Sequence, residues 1–310
     1  MHSLEVEQSL RESAGELLEG ILRCTGCARR YPVIDGIPVV VRDLAGLLRT
    51  EAIAALSGDL TPEVLGVLAE AGPDEGPIAH FVAHLGTYLD SSWGDCAEPR
   101  TLPLGFGGLL RKLEERASQR VEVALELGCC VGRGLSALAA GARLAVGLDR
   151  NLGVLRAARR ILGGGELRYA RRTAGRATEP ALVRAPALPN VQLVCGDALD
   201  PPFAPGTFGR VAALNLLDNV RSPRALLHHA SALAAPGGEL LLASPYAWRS
   251  GIIDDDERLS GDPAEAVRAE LRGRGCEIVE EDARVRWTLR NDARSFTTYE
   301  VHWLRATVLR

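Results

Sequence analysis

From Val121 onward, short apolar runs of strand length alternate with segments of helix length, which restricts this part of the chain to a parallel sheet covered by helices. Strands are expected near 121–127, 143–149, 191–195, 210–216, 238–243, 276–287 and 296–308, and helices near 133–140, 151–162, 223–235 and 262–273. The runs Val211-Ala212-Ala213-Leu214 and Leu240-Leu241-Leu242-Ala243 are apolar throughout, as strands buried on both faces should be. The last two runs alternate apolar and polar residues instead, and read as an antiparallel pair that closes the sheet.

The 310 residues suffice for one large domain and a smaller one, and 46% hydrophobic with 25% charged residues excludes a disordered or fibrous chain. A net charge of −4, from 36 basic and 40 acidic residues, argues against a surface devoted to nucleic acid. Seven scattered cysteines make no disulfide framework, and a reducing cytoplasm is the expected setting. No apolar run is long enough to span a bilayer, and the start lacks a basic-then-apolar export signal.

Three regions are expected: a small β-rich unit at 1–45, a helical linker or lid at 46–118, and a large α/β domain at 119–310. In the middle region, helical patterns run from Leu47 to Leu56, Pro62 to Ala71 and Ile78 to Leu89. Residues 163–190 form an arginine-rich insertion, read as a solvated loop or as a flap that binds an anion.

The sharpest local signal is Val123-Ala124-Leu125-Glu126-Leu127-Gly128-Cys129-Cys130-Val131-Gly132-Arg133-Gly134. A buried strand enters a glycine-bearing turn that opens a helix, so a ligand can approach the backbone closely at a helix N-terminus. Alone, such a turn could hold a dinucleotide, although its spacing departs from the G-x-G-x-x-G rule. Three further features accompany it. The next strand ends in Asp149, where a carboxylate can accept bonds from two ribose hydroxyls; the third ends in Gly196-Asp197-Ala198; and Ala235-Pro236-Gly237-Gly238 turns into the fifth.

In this order the four features resemble the class I S-adenosylmethionine-dependent methyltransferase family over roughly 119–310. The resemblance implies a Rossmann-like, seven-stranded, mostly parallel sheet, with S-adenosyl-L-methionine as cofactor and S-adenosyl-L-homocysteine as product. It implies that Glu126 and Gly128 flank the methionine end, Gly132 lines the turn, and Asp149 holds the ribose. Arg150 is counted with these cofactor residues, and Asp197 with Ala198 faces the adenine. Cys130 stands where the family has its middle glycine, so the turn is expected to differ slightly there.

Asn215, Asp218 and Val220-Arg221-Ser222-Pro223 after the fourth strand, Ser244-Pro245-Tyr246-Ala247-Trp248 after the fifth, and the tail Trp287 to Arg294 resemble the methyltransferase domain of ovothiol synthases. That likeness suggests a small-molecule acceptor such as an imidazole or an amino-acid-derived nitrogen. Asn215 would then orient the acceptor, Asp218 would pair with it or take its proton, and Tyr246 and Trp248 would wall the pocket. Each has a plain alternative, as a helix cap, an ion-pair partner or core. Tyr299 is a further candidate, and His228 with His229 reads as a surface pair. Upstream, Tyr88 or Trp93 would cover the sulfonium, with hydrophobic packing as the equal alternative.

At the front, Leu22 to Pro38, with Cys24 and Cys27, resembles the second half of a Trm112-like zinc ribbon. Two thiolates cannot fill a closed four-ligand zinc site, so zinc is not expected unless another chain supplies ligands. The ribbon would then dock on the catalytic domain or mediate a homodimer. Two other functions stay open: an RNA methyltransferase, because such ribbons can precede these domains, and a catalytically inactive cofactor-binding partner. Neither a membrane nor, by default, a nucleic acid is expected as partner.

Overall fold

The computed structural model describes residues 3–44, 46–47, 77–100, 105–175, 177–253 and 255–309. The helical patterns expected from 48 to 56 and from 62 to 71, and Arg176 of the insertion, lie outside them.

The chain opens with two hairpins. β1 (Leu4–Ser13) and β2 (Glu16–Cys24) turn through Ala14 and Gly15, with φ of 51° and 81°; β3 (Arg30–Ile34) and β4 (Ile37–Pro38) turn through Asp35 and Gly36, at 50° and 73°. Two successive left-handed residues give a two-residue turn the twist of its strands. The four strands form one antiparallel sheet in chain order. Beyond β4, Val39 bridges to Cys195 in the central sheet, and the Val40 N–H donates to the Cys195 carbonyl at 2.7 Å. Glu16 and Asp35 add ion pairs to Arg159 and Arg156, at 2.7 and 2.6 Å. The N-terminal sheet is thus seated on the α/β domain.

α1 (Pro77–Trp93), β5 (Ala97–Glu98) and α2 (Gly107–Glu114) lead into the α/β domain. There β6 (Val121–Leu127), α3 (Arg133–Ala140), β7 (Ala142–Asp149) and α4 (Leu152–Leu162) form the first half. A hairpin, β8 (Glu166–Ala174) and β9 (Ala177–Arg184), precedes β10 (Val191–Cys195). Then follow β11 (Phe208–Leu214), α5 (Pro223–Leu233), β12 (Ala234–Ser244), α6 (Pro263–Gly273), β13 (Cys276–Arg290) and β14 (Phe296–Val308).

Seven of these strands make one sheet in the order β10-β7-β6-β11-β12-β14-β13. The first five are parallel, and β14 runs antiparallel to both neighbours. This is the expected mostly parallel α/β arrangement with its closing antiparallel pair. Consecutive residues Ala124-Leu125, Val211-Ala212 and Leu240-Leu241 are all fully buried, so both faces of the central strands are covered. Asn151, Ser222 and Asp262 cap α4, α5 and α6 through their side chains. Among the described residues, no helix is long and apolar enough to cross a membrane.

Two departures are informative. The fourth strand stops at Leu214 because Asn215 turns to a φ of 52°, outside any strand. The arginine-rich insertion is not a solvated loop: β9 pairs with both β8 and β5 in a three-stranded sheet. Its anchor is Asp90 of α1, which is 3% exposed and accepts from the Tyr169 hydroxyl (2.5 Å), Arg171 Nε (2.8 Å) and Arg290 Nη1 (2.6 Å). Arg172 and Arg184 are likewise engaged, with the Gly175 carbonyl and with Glu166 and Glu98.

Candidate active site

The C-terminal ends of β6, β7, β10 and β11 open into a cleft of about 790 Å³. Its floor is the turn after β6, with φ values of 72° at Gly128, 48° at Cys130 and 81° at Gly132. Cys130 therefore adopts the left-handed conformation a glycine would take, at a cost of about 1–2 kcal/mol for a residue with a Cβ. Asp149 offsets it, because its Oδ2 accepts the Cys130 N–H at 2.9 Å. Gly132 caps the first turn of α3 and does not line the cleft.

Three carboxylates stand along one side of this floor, one from each of β6, β7 and the loop after β10. Glu126 is 3% exposed and lies beneath the start of α3, so close that a Cβ at Gly134 would collide with its carboxylate. Burial, with Asp149 beside it, raises its pKa well above the ordinary carboxyl value, against one hydrogen bond from the Leu135 N–H. Its Oε2 is buried without a hydrogen-bond partner. Asp149 accepts a second bond, from the Asn151 N–H at 2.8 Å, and Asp197 accepts the Leu199 N–H at 2.8 Å. Burial also raises Asp149, the hydrogen bonds opposing it. Gly128, Arg150 and Ala198 line the same cleft.

The cleft also has an aromatic lining. α1 presents His80, His84, Tyr88 and Ser92 at intervals of four residues, and Phe106 and Trp287 join them. The His84 ring lies 4.7 Å from Tyr88 and 5.9 Å from His80, while Trp287 is backed by Tyr299 at 5.2 Å. Burial, helped by His80 and Arg249, pushes His84 down to about 4, so its imidazole is neutral at pH 7. Asn215 lines the cleft too; its N–H is held by the Ala243 carbonyl (2.7 Å) and its Oδ1 is buried without a partner.

The remaining residues singled out in the sequence lie elsewhere. Trp93 is 2% exposed beneath the turn, its Nε1 donating to the Val131 carbonyl at 2.9 Å and the Arg133 guanidinium 4.6 Å above its ring. It braces the floor and does not line the cleft, whereas Tyr88 does. Asp218 is buried behind β11, where the Ser244 hydroxyl donates to it at 3.3 Å. Tyr246 turns away at a φ of 54°, packs on Trp248 and shares a 2.6 Å hydrogen bond with His302. His228 and His229 face each other on α5, outside the cleft. Among the described residues, none of the hairpin arginines Arg168, Arg171, Arg172 and Arg184 lines the cleft. Among the described residues, no three His, Cys, Asp or Glu side chains converge as metal ligands.

Sequence reasoning missed His84, Phe106, Trp287 and Arg249. The four-residue spacing of His80, His84 and Tyr88 was a usable signal. Phe106 gave none, and Trp287, although it heads the tail segment noted above, was given no role there.

Residues 125–242 match the family model for a methyltransferase domain. A search of curated proteins gives no match. Among solved structures, a candidate methyltransferase from Bacillus halodurans C-125 is 16% identical, with a TM-score of 0.47, and the match covers 66% of this chain and 100% of that one. The complex between the Haloferax volcanii Trm112 methyltransferase activator and a candidate methyltransferase matches at 15% identity and a TM-score of 0.48, over 79% of this chain and 98% of that one. The N-methyltransferase NodS from Bradyrhizobium japonicum WM9, in complex with S-adenosyl-L-homocysteine, is 19% identical with a TM-score of 0.41, over 65% and 85%.

Proposed function

We propose that this chain, whose residues 125–242 match a methyltransferase-domain model, is an S-adenosylmethionine-dependent methyltransferase, and that it methylates a nitrogen of a small, planar acceptor, with an imidazole as the best-fitting class. The observation that carries this reading is a single cleft lined both by the carboxylates Glu126, Asp149 and Asp197 and by the rings of Tyr88, Phe106 and Trp287. The first suits a cationic nucleoside and the second a flat ring of modest size.

The residues present fit the cofactor. Glu126 Oε2 lacks a hydrogen-bond donor, which an α-ammonium would supply. Asp149 keeps lone pairs beyond its two backbone bonds for ribose hydroxyls, and Asp197 with Ala198 would border the adenine. When bound, the cofactor supplies an electrophilic methyl group on a cationic sulfur.

The chain's own residues then have mainly to position and to exclude water. Asn215 Oδ1 would accept an N–H of the acceptor and turn its lone pair toward the methyl group. Tyr88, Phe106 and Trp287 would enclose the ring, favouring a cationic product by roughly 0.5–2 kcal/mol per ring face. Neutral His84 adds no repulsion to the sulfonium and can accept a hydrogen bond. Asp218 does not line the cleft, so the proton lost after transfer is assigned to His84 or to water. We read residues 1–45 as a ribbon-like unit docked in cis, without a metal.

Turnover of methyl-labelled cofactor on a panel of imidazoles, amines and RNA tests the reading. Transfer to a small imidazole or amine supports it; transfer to RNA alone, or none at all with the cofactor bound, contradicts it. Asn215→Ala should lower kcat by ten- to a hundredfold while cofactor affinity stays within about twofold. A collapse of affinity would instead make Asn215 a cofactor residue.

Glu126 should link cofactor binding to pH. A raised pKa in the folded state means that the empty protein loses stability as pH rises above the ordinary carboxyl value of 4.5, until Glu126 has ionised. A cationic ligand prefers the ionised form, so binding should release a proton and tighten with rising pH through that titration. Calorimetry in buffers of different ionisation enthalpy checks this. Glu126→Gln should abolish the proton release, and release unchanged in that variant would refute the assignment.

A further inference from the structure

Resting on this small-acceptor reading, we infer that Asn219 is a positioning residue: its side-chain amide locks Asn215 in the left-handed turn from which Asn215 meets the acceptor. Asn219 Nδ2 donates to the Asn215 carbonyl, four residues back, at 2.9 Å. The Asn215 N–H is taken by the Ala243 carbonyl at 2.7 Å, so both backbone polar groups of Asn215 are held. Its φ of 52° is a conformation that a residue with a Cβ keeps only where its surroundings fix it. One of the two bonds that fix it comes from β12, and the other from the Asn219 side chain.

The rest of the loop leaves Asn219 free for this task. Leu217–Asn219 form one 3₁₀ turn, and the Asn219 N–H is spent on the Leu216 carbonyl at 2.8 Å. A donor for the Asn215 carbonyl therefore has to come from a side chain. Capping of α5, the ordinary use of a polar residue at this point, falls to Ser222. Behind the turn, buried Asp218 accepts from the Ser244 hydroxyl at 3.3 Å and ties the loop to the end of β12. Leu216 packs on the turn after β6, where a Cβ added at Gly128 would meet its Cδ1 at 2.9 Å. Asn215, Leu216 and Asn219 all line the cleft. Without the Asn219 amide, the Asn215 carbonyl loses its donor and the residue can relax to a negative φ, which carries its side chain away from the acceptor. The carboxylates assigned to the cofactor stand on other strands and should be little disturbed.

The test uses the full chain saturated with S-adenosyl-L-homocysteine at pH 8, titrated calorimetrically with imidazole as the acceptor probe. Asn219→Leu, close in size but without a donor, should weaken imidazole binding at least fivefold while S-adenosyl-L-homocysteine affinity stays within about twofold. Asn219→Gln, which keeps an amide donor on a longer stem, should fall between Leu and the natural residue. In an Asn215→Gly background the left-handed turn needs no support and the acceptor contact is gone, so Asn219→Leu should there change binding less than twofold. Full imidazole binding in Asn219→Leu, an equal loss for both ligands, or a loss that persists in the Asn215→Gly background overturns the inference. A natural chain that binds the nucleoside but not imidazole would remove the small-acceptor reading, and one that binds neither would remove the methyltransferase reading, so the failures are distinguishable.

Discussion

Asp149→Ala is expected to weaken S-adenosylmethionine binding by about a hundredfold. Under the proposed placement the carboxylate accepts from two ribose hydroxyls, and hydrogen bonds to a charged group contribute roughly 1.5–3 kcal/mol each. It also holds the turn, through Cys130 and Asn151, in the form that lets a ligand approach. Asp149→Asn keeps one acceptor oxygen where two are needed, so its loss should be intermediate, about tenfold. Thermal stability should change less than affinity, because burial raises the Asp149 pKa and its removal relieves that desolvation, against the loss of its bonds from the Cys130 and Asn151 N–H groups. Titration calorimetry together with a melting curve separates the two effects. Unchanged affinity would contradict the placement of the nucleoside.

Asp90→Ala should have the largest effect on folding. Asp90 is the shared acceptor for Tyr169, Arg171 and Arg290, and Arg171 is itself 1% exposed. Removing one partner of a buried ion pair leaves a charge uncompensated, at a cost of roughly 3–5 kcal/mol. At about 2–4 °C per kcal/mol for a domain of this size, the melting temperature should fall by roughly 10 °C. Because Asp90 sits on the helix that carries His84 and Tyr88, turnover of the folded fraction should fall as well. A loss below about 1 kcal/mol in urea titrations would show that the network is dispensable.

What the sequence made legible was whatever a local pattern encodes. The strand at Ala124 was bounded as found, Val121–Leu127, whereas the apolar runs at Val211 and Leu240 located their strands but not their ends, which lie at Phe208–Leu214 and Ala234–Ser244. Glu126, Gly128, Asp149 and Asp197 were legible because strand ends of a parallel sheet meet at one edge, so motifs far apart in the chain converge there. The β8–β9 hairpin was not. Its Arg168, Arg171 and Arg172 look like a solvated loop until Asp90, 81 residues before Arg171, is brought against Arg171. Trp93 and Tyr88 lie on one helix, and only the packing of that helix decides which of them meets the cleft. Asp218 and Tyr246 follow strand ends as expected, but the left-handed turns at Asn215 and Tyr246 set the side-chain directions there, and no local pattern announces them. Their assigned roles now pass to residues that do line the cleft.

Crystals of the full chain soaked with S-adenosyl-L-homocysteine decide whether the cleft holds the nucleoside. Density is expected in the cleft, with the ribose hydroxyls on Asp149, the ammonium beside Glu126 and the sulfur facing Asn215 and the aromatic residues. Density at another site, or a cleft left empty at saturating ligand, would contradict that placement.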